Sequence, residues 1–166
     1  TSMQRLSSGL RVNSAKDDAA GLAIAERMQA QVRGMNVAVR NANDAISLAQ
    51  TAEGAIGKVS EMLQRMRELA VQSANATNGQ DDRDNLEAEF VELGAEIDRT
   101  IASTKFNGLA ILGSDADTLT FQVGANTDDT VDITTTDLSG TDVTDASGGT
   151  IASVTDAQAA MDAIDA

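Results

Sequence analysis

The sequence predicts a mainly α fold, in which long antiparallel helices form a rod-like coiled-coil bundle with a small β-hairpin. Three observations predict it. From Met28 to Ala70 one apolar stripe advances in steps of three or four residues: Met28, Val32, Met35, Val39, Ala42, Ile46, Ala49, Ala52, Ile56, Val59, Leu63, Met66 and Ala70. That spacing marks one face of a helix. A second helical period follows in Leu86, Phe90, Leu93, Ile97 and Ile101. Near Leu119 the period changes to alternation, the pattern of a half-buried strand.

Taken in order, residues 1–18 read as a connector, because Ser7-Ser8-Gly9 and Asn13-Ser14 interrupt any regular period. Asp17 and Asp18 then suit a helix start, where negative charge complements the dipole. The helical core covers residues 19–113. Its long helix runs from about Ala19 to Ala76, unbroken because the chain has no proline. The stripe slips once at Ala52, which overwinds a coiled coil locally without ending it. Gly34, Gly54 and Gly57 lie inside this helix at a cost of about 0.5–1 kcal/mol each relative to alanine, and so predict close backbone approach between helices.

Asn78-Gly79 stops the long helix. Asp81, Asp82 and Asp84 open a second one, over about Asp81–Thr104, that folds back antiparallel. Phe106 anchors the turn that follows. Residues 114–136 predict a β-hairpin from Leu119, Phe121 and Val123 paired with Val131 and Ile133, with Phe121 inward. Residues 137–154 read as a short variable loop, mobile or minimal, with little to bury. Residues 155–166 begin a further helix with Ala157, Ala160, Met161 and Ile164 on one face. The second helix covers less than half of the first, so the rest of the stripe needs a returning helix or a neighbouring subunit, each buried side chain being worth about 1.5–3 kcal/mol.

Composition narrows the chemistry. The 166 residues include no cysteine and no histidine, which excludes disulfides, thiolate catalysis and histidine-ligated metals. Only Phe90, Phe106 and Phe121 are aromatic, so the core is aliphatic and alanine-rich. The net charge of −14 is uneven: all 12 bases lie between Arg5 and Lys105, whereas Ser114–Ala166 holds 11 Asp and no base. No basic face is available for nucleic acid. No apolar run approaches the ~20 residues that span a bilayer, and the chain shows no basic-then-apolar signal-peptide pattern at Thr1, an absence equally consistent with a missing native terminus.

Candidate chemistry on single motifs is thin. Glu87, Glu89, Glu92 and Glu96 read more simply as a solvated helix face than as a catalytic acid pair. Asp115-Ala-Asp117 begins like a calcium loop, but Leu119 stands at the third ligand position. No phosphate-binding glycine motif is present. The surface around Arg65 is more informative: Gln64, Arg65 and Glu68 fall outside the stripe, and Leu69 lies at its edge. An arginine one turn from an apolar side chain has the composition of an interface anchor. The simpler alternative is an Arg65 that pairs with Glu61 or Glu68 and a Leu69 that belongs to the core.

Several stretches together resemble the N-terminal conserved region of bacterial flagellin: Arg5–Gly21 (RLSSGLRVNSAKDDAAG), Arg40–Ala55 (RNANDAISLAQTAEGA) and Leu63–Asn75 (LQRMRELAVQSAN), continued by Glu96–Arg99, Phe106-Asn107-Gly108 and Phe121–Asn126. The resemblance covers most of Thr1 to about Ile133. It implies a structural subunit of the bacterial flagellar filament, secreted, extracellular and self-assembling for motility, with other flagellin subunits as partners, an export chaperone and a cap as further ones, and no cofactor or enzymatic activity. It also implies recognition by the host Toll-like receptor that senses flagellin, through Arg65, Leu69 and Glu89, with Gln64 and Glu68 beside them. Relative to that family the chain lacks both extreme termini and nearly all of the C-terminal helix, so it is not expected to form filaments alone. The absence of histidine rules out the metallopeptidase motif HExxH that some flagellins carry. A hook-filament junction protein and a helical adaptor are the alternatives; the Leu63–Asn75 run argues against the first, and the family motifs against the second.

Overall fold

The computed structural model describes Leu6, Gly9, residues 19–140 and residues 142–166. The rest of the expected connector, with Asp17 and Asp18, lies outside the described residues. In chain order the elements are α1 (Ala19–Ser73), α2 (Gln80–Ser103), β1 (Lys105–Phe106), β2 (Leu109–Ala110), β3 (Thr118–Gln122), β4 (Thr130–Thr134), α3 (Asp142–Ser147) and α4 (Val154–Asp165). The chain divides into two compact units, one of Thr1–Ala45 with Thr120–Val131 and one of Ile46–Leu119 with Asp132–Ala166. The fold is mainly α with two long helices; β1 pairs with β2, and β3 with β4, as two-stranded sheets.

In the first unit, α1 meets the tip of the β3–β4 hairpin. Asn41 Nδ2 donates to the Gln122 carbonyl at 2.9 Å. A Cβ on Gly34 would stand 3.2 Å from the Ala125 Cβ, so this glycine permits a close approach, made by the hairpin rather than by the helix expected. Gly54 and Gly57 do not: nothing lies within 4 Å of a Cβ built there. The close-approach glycine of the second unit is Gly94 on α2, where a Cβ would meet the Ser147 carbonyl oxygen at 2.2 Å.

The buried row of α1 also differs from the expected stripe. Ala38, Ala45, Leu48, Ala55, Val59, Met66, Leu69 and Ser73 are buried, and Asn41, Ala52 and Met62 are half-buried. Read together, these positions alternate steps of three and four from Ala38 to Ser73 with no slip. Met28, Val32, Met35 and Val39 are instead 56–62% exposed. The expected stripe and the buried row coincide at Ala52, Val59 and Met66, and Ala70 is buried beside the row, so the slip at Ala52 is the point where a line drawn through the bulkiest residues crosses onto the buried one. Two apolar stripes lie side by side, and hydrophobicity ranks methionine and valine above alanine without knowing which stripe is covered.

Between the long helices, Arg83 serves as a clamp. Its guanidinium donates to the carbonyls of Ser73, Asn75 and Asn78 at 2.8–3.0 Å, satisfying acceptors that the end of α1 leaves without helical partners. The Gly79 N–H donates to Asp82 Oδ2 at 3.2 Å, in the first turn of α2. Phe90, Gly94, Ile97 and Ile101 form the buried face of α2, and Ile111 and Leu112 join the core. Phe121 is half-buried.

Residues 137–154 are more than a bare loop. They contain α3, and Ala146, Ser147 and Ile151 are buried. Ser73 Oγ donates to the Ile151 carbonyl at 2.5 Å, and Glu87 accepts from the Ile151 N–H and the Thr150 hydroxyl. The scattered apolar residues of this segment give no period to read, and only the tertiary contacts, Ser147 against Gly94 and Ile151 bonded to Ser73 and Glu87, reveal Ala146 and Ile151 as core. Ser153 then caps α4, accepting from the Asp156 N–H at 3.1 Å.

Candidate functional site

Residues 64–71 of α1 present one exposed polar strip in the second unit. Arg65 is its centre: Nε donates to Glu89 Oε1 on α2 at 2.8 Å and Nη1 to Glu68 Oε2 at 3.0 Å. A helix step of three brings Glu68 within reach, and the return of α2 brings Glu89. The hydrogen bond donated to Glu89 first, then that donated to Glu68, raises the Arg65 pKa above its ordinary value. All three side chains remain 47–69% exposed, so the cluster orients charge and adds little stability.

Gln64 and Glu68 are exposed and, with Arg67 and Val71, line a shallow cavity of about 380 Å³. Leu69 departs from the expectation of a surface anchor. It is 1% exposed, because it falls on the buried row seven residues after Met62 and fourteen after Ala55. The core alternative holds for this residue, while Arg65 joins Glu89 as well as Glu68. The exposed apolar side chain of the strip is Val71, 50% exposed.

Arg67 and Val71 carry the part that sequence reasoning missed. Arg67 forms a two-pronged pair with Asp165 of α4, with distances of 2.7 and 2.8 Å, a geometry that suits guanidinium and carboxylate planes. No spacing rule connects residues so far apart in sequence; Val71 was legible as an apolar residue off the main stripe, one turn past Arg67. Elsewhere two of the acids of α2 are engaged, Glu87 with residues 150 and 151 and Glu96 with Arg99. Asp115 accepts from the Ala110 N–H at 2.9 Å and Asp117 from the Thr118 N–H at 2.7 Å, so both shape their loop.

The model of the bacterial flagellin N-terminal helical region matches residues 1–117. The chain belongs to the flagellin family. Among its flagellin relatives, that of Salmonella typhimurium is 58% identical over 133 residues, which are 80% of this chain and 27% of the relative. The flagellin of Halalkalibacterium halodurans is 52% identical over 165 residues, 98% of this chain and 60% of the relative. This flagellin-family chain therefore spans about a quarter of the length of its Salmonella relatives. The crystal structure of Bacillus cereus flagellin aligns with a TM-score of 0.66 at 32% identity, over 76% of this chain and 73% of that one. A flagellar hook-associated protein structure from Vibrio parahaemolyticus aligns with a TM-score of 0.72 at 18% identity, over 92% and 82% of the two chains, a likeness of fold.

Proposed function

We propose that the chain is part of a flagellar filament subunit, working outside the cell and joining other flagellin subunits through the apolar side chains of α1 that the described residues leave uncovered. The observation that carries this reading is the exposed row Met28, Val32, Met35 and Val39. Burying each such side chain yields about 1.5–3 kcal/mol, so a row of four supplies a strong drive for association. Export chaperone and cap are further partners on this reading, and the chain has no catalytic part in it. Met35→Glu with Val39→Glu is expected to cut filament yield at least tenfold in electron micrographs of assembling flagellin while helicity is retained. Undiminished filaments from that double variant would overturn the reading.

The surface formed by Gln64, Arg65, Glu68 and Glu89 is proposed as the contact for the host Toll-like receptor, with Leu69 beneath it as a support for the helix face. The fixed guanidinium between two carboxylates supports this, since its ordering cost is met before binding. Arg65→Ala and Glu89→Ala are each expected to weaken receptor binding about tenfold or more, the scale of an interface anchor, with unchanged circular dichroism. Equal affinity in both variants would sink the assignment.

A further inference from the structure

The chain holds two Asn-Gly pairs, Asn78-Gly79 and Asn107-Gly108, and folds them in opposite ways. Asn-Gly is a chemically labile pair, because glycine has no Cβ to keep its backbone nitrogen away from the preceding side-chain carbonyl carbon. At the first pair the attacking nitrogen and the leaving amide are both engaged. The Gly79 N–H donates to Asp82 Oδ2 at 3.2 Å, and Asn78 Nδ2 donates to the Gln72 carbonyl at 2.6 Å. The Asn78 carbonyl accepts from Arg83 at 2.8 Å.

At the second pair both residues are exposed, in a two-residue turn between β1 and β2. Asn107 has φ +49° and Gly108 φ +87°, the left-handed conformations that make Asn-Gly the favoured pair for so tight a hairpin. Among the described residues the Asn107 side chain has no hydrogen-bond partner, and nothing lies within 4 Å of a Cβ built on Gly108. Only two residue pairs, Lys105 with Ala110 and Phe106 with Leu109, hold the turn closed. A ladder that short opens readily.

We propose that Asn107 is a self-modification site that deamidates spontaneously, and that Asn78 is protected. In the open turn the Gly108 nitrogen gives its proton to solvent and bonds to Asn107 Cγ. The Cγ–Nδ2 bond breaks and ammonia leaves with a proton, closing a succinimide. Water then opens the ring at either carbonyl to give aspartate or isoaspartate. Water enters, ammonia departs and nothing is oxidised or reduced. Either product adds a carboxylate two residues from Lys105, which lines a cavity of about 590 Å³ together with Asp98, Ala110 and Asp115. Isoaspartate also lengthens the main chain by one methylene and so breaks the Phe106–Leu109 register.

The test incubates the whole chain in mildly alkaline buffer and follows the Asn107 and Asn78 peptides by mass spectrometry and isoaspartyl methyltransferase labelling. The Asn107 peptide is expected to gain about 1 Da, at a rate at least about tenfold above that of Asn78, the factor a single retained hydrogen bond supplies. Asp82→Ala frees the Gly79 nitrogen and is expected to raise the Asn78 rate severalfold with the Asn107 rate unchanged. Equal rates at the two pairs, an Asn78 rate indifferent to Asp82→Ala, or an intact Asn107 while a free peptide of residues 104–111 converts, would each overturn the proposal.

Discussion

In residues 19–45 Ile24, Met28, Val32, Met35 and Val39 of α1 stand in solvent, whereas in residues 46–73 Leu48, Val59, Met66 and Leu69 are buried. The helix is continuous and its apolar period is the same in both stretches. What differs is the chain available to cover it. The second unit contains the buried faces of α2 and α4, with Ile111, Leu112 and Ile151, while among the described residues the first brings the hairpin tip against Gly34 and Asn41. An amphipathic period therefore says that a helix has a face to bury, and says nothing of whether its own chain buries it. Alanine marks the buried row where bulk is scarce: Ala38, Ala45 and Ala55 lie on it.

The sharpest way to break this contrast is Phe90→Ala. Phe90 is fully buried beside Gly149, so its truncation is expected to cost about 3–5 kcal/mol, read as a lower midpoint in denaturant. A shift under 1 kcal/mol would remove the distinction between the units. Gly94→Ala comes next, at about 1–3 kcal/mol, because the new methyl group meets the Ser147 carbonyl on backbone that α3 must move. Ser73→Ala leaves the buried Ile151 carbonyl without its donor and is expected to cost about 1 kcal/mol or slightly more, with faster hydrogen exchange confined to residues 148–157.

Acid sharpens the contrast more gently. The hydrogen bond from Arg67, with its charge adding and desolvation opposing, holds Asp165 below its ordinary carboxylate value of 3.8. A depressed folded pKa contributes stability that is present above the unfolded value and lost as pH falls through the folded one. The end of α4 is therefore expected to loosen below about pH 3.8, seen as faster exchange there, and Asp165→Asn is expected to abolish that step. The smallest effect belongs to the first unit: Met35→Ala is expected to change monomer stability by less than about 0.5 kcal/mol. A loss near that of Phe90→Ala would mean that Met35 is covered after all.

The mainly α class, two long helices and a β-hairpin were legible because period and glycine placement are local properties: Asn78-Gly79 ends one helix and Leu86 to Ile101 defines the next. The carboxylates and Arg65 of the candidate surface were legible as residues off the stripe. Leu69 was misplaced because it belongs to the buried row, one residue beside the expected stripe at Ala70. Ile151, Arg67 and Arg83 were invisible, since each acts on a partner that no repeat points to.

By itself, then, the order of residues determined which segments become helix and strand, and that α1 carries more apolar surface than one short neighbour can cover. The tertiary structure alone decided which of two adjacent stripes is buried, that Gly94 rather than Gly54 receives a neighbouring backbone, and which Asn-Gly pair is locked. Each of those outcomes depends on a second segment arriving within a few ångströms. Contact free energy between distant segments leaves no period in the chain that produces it.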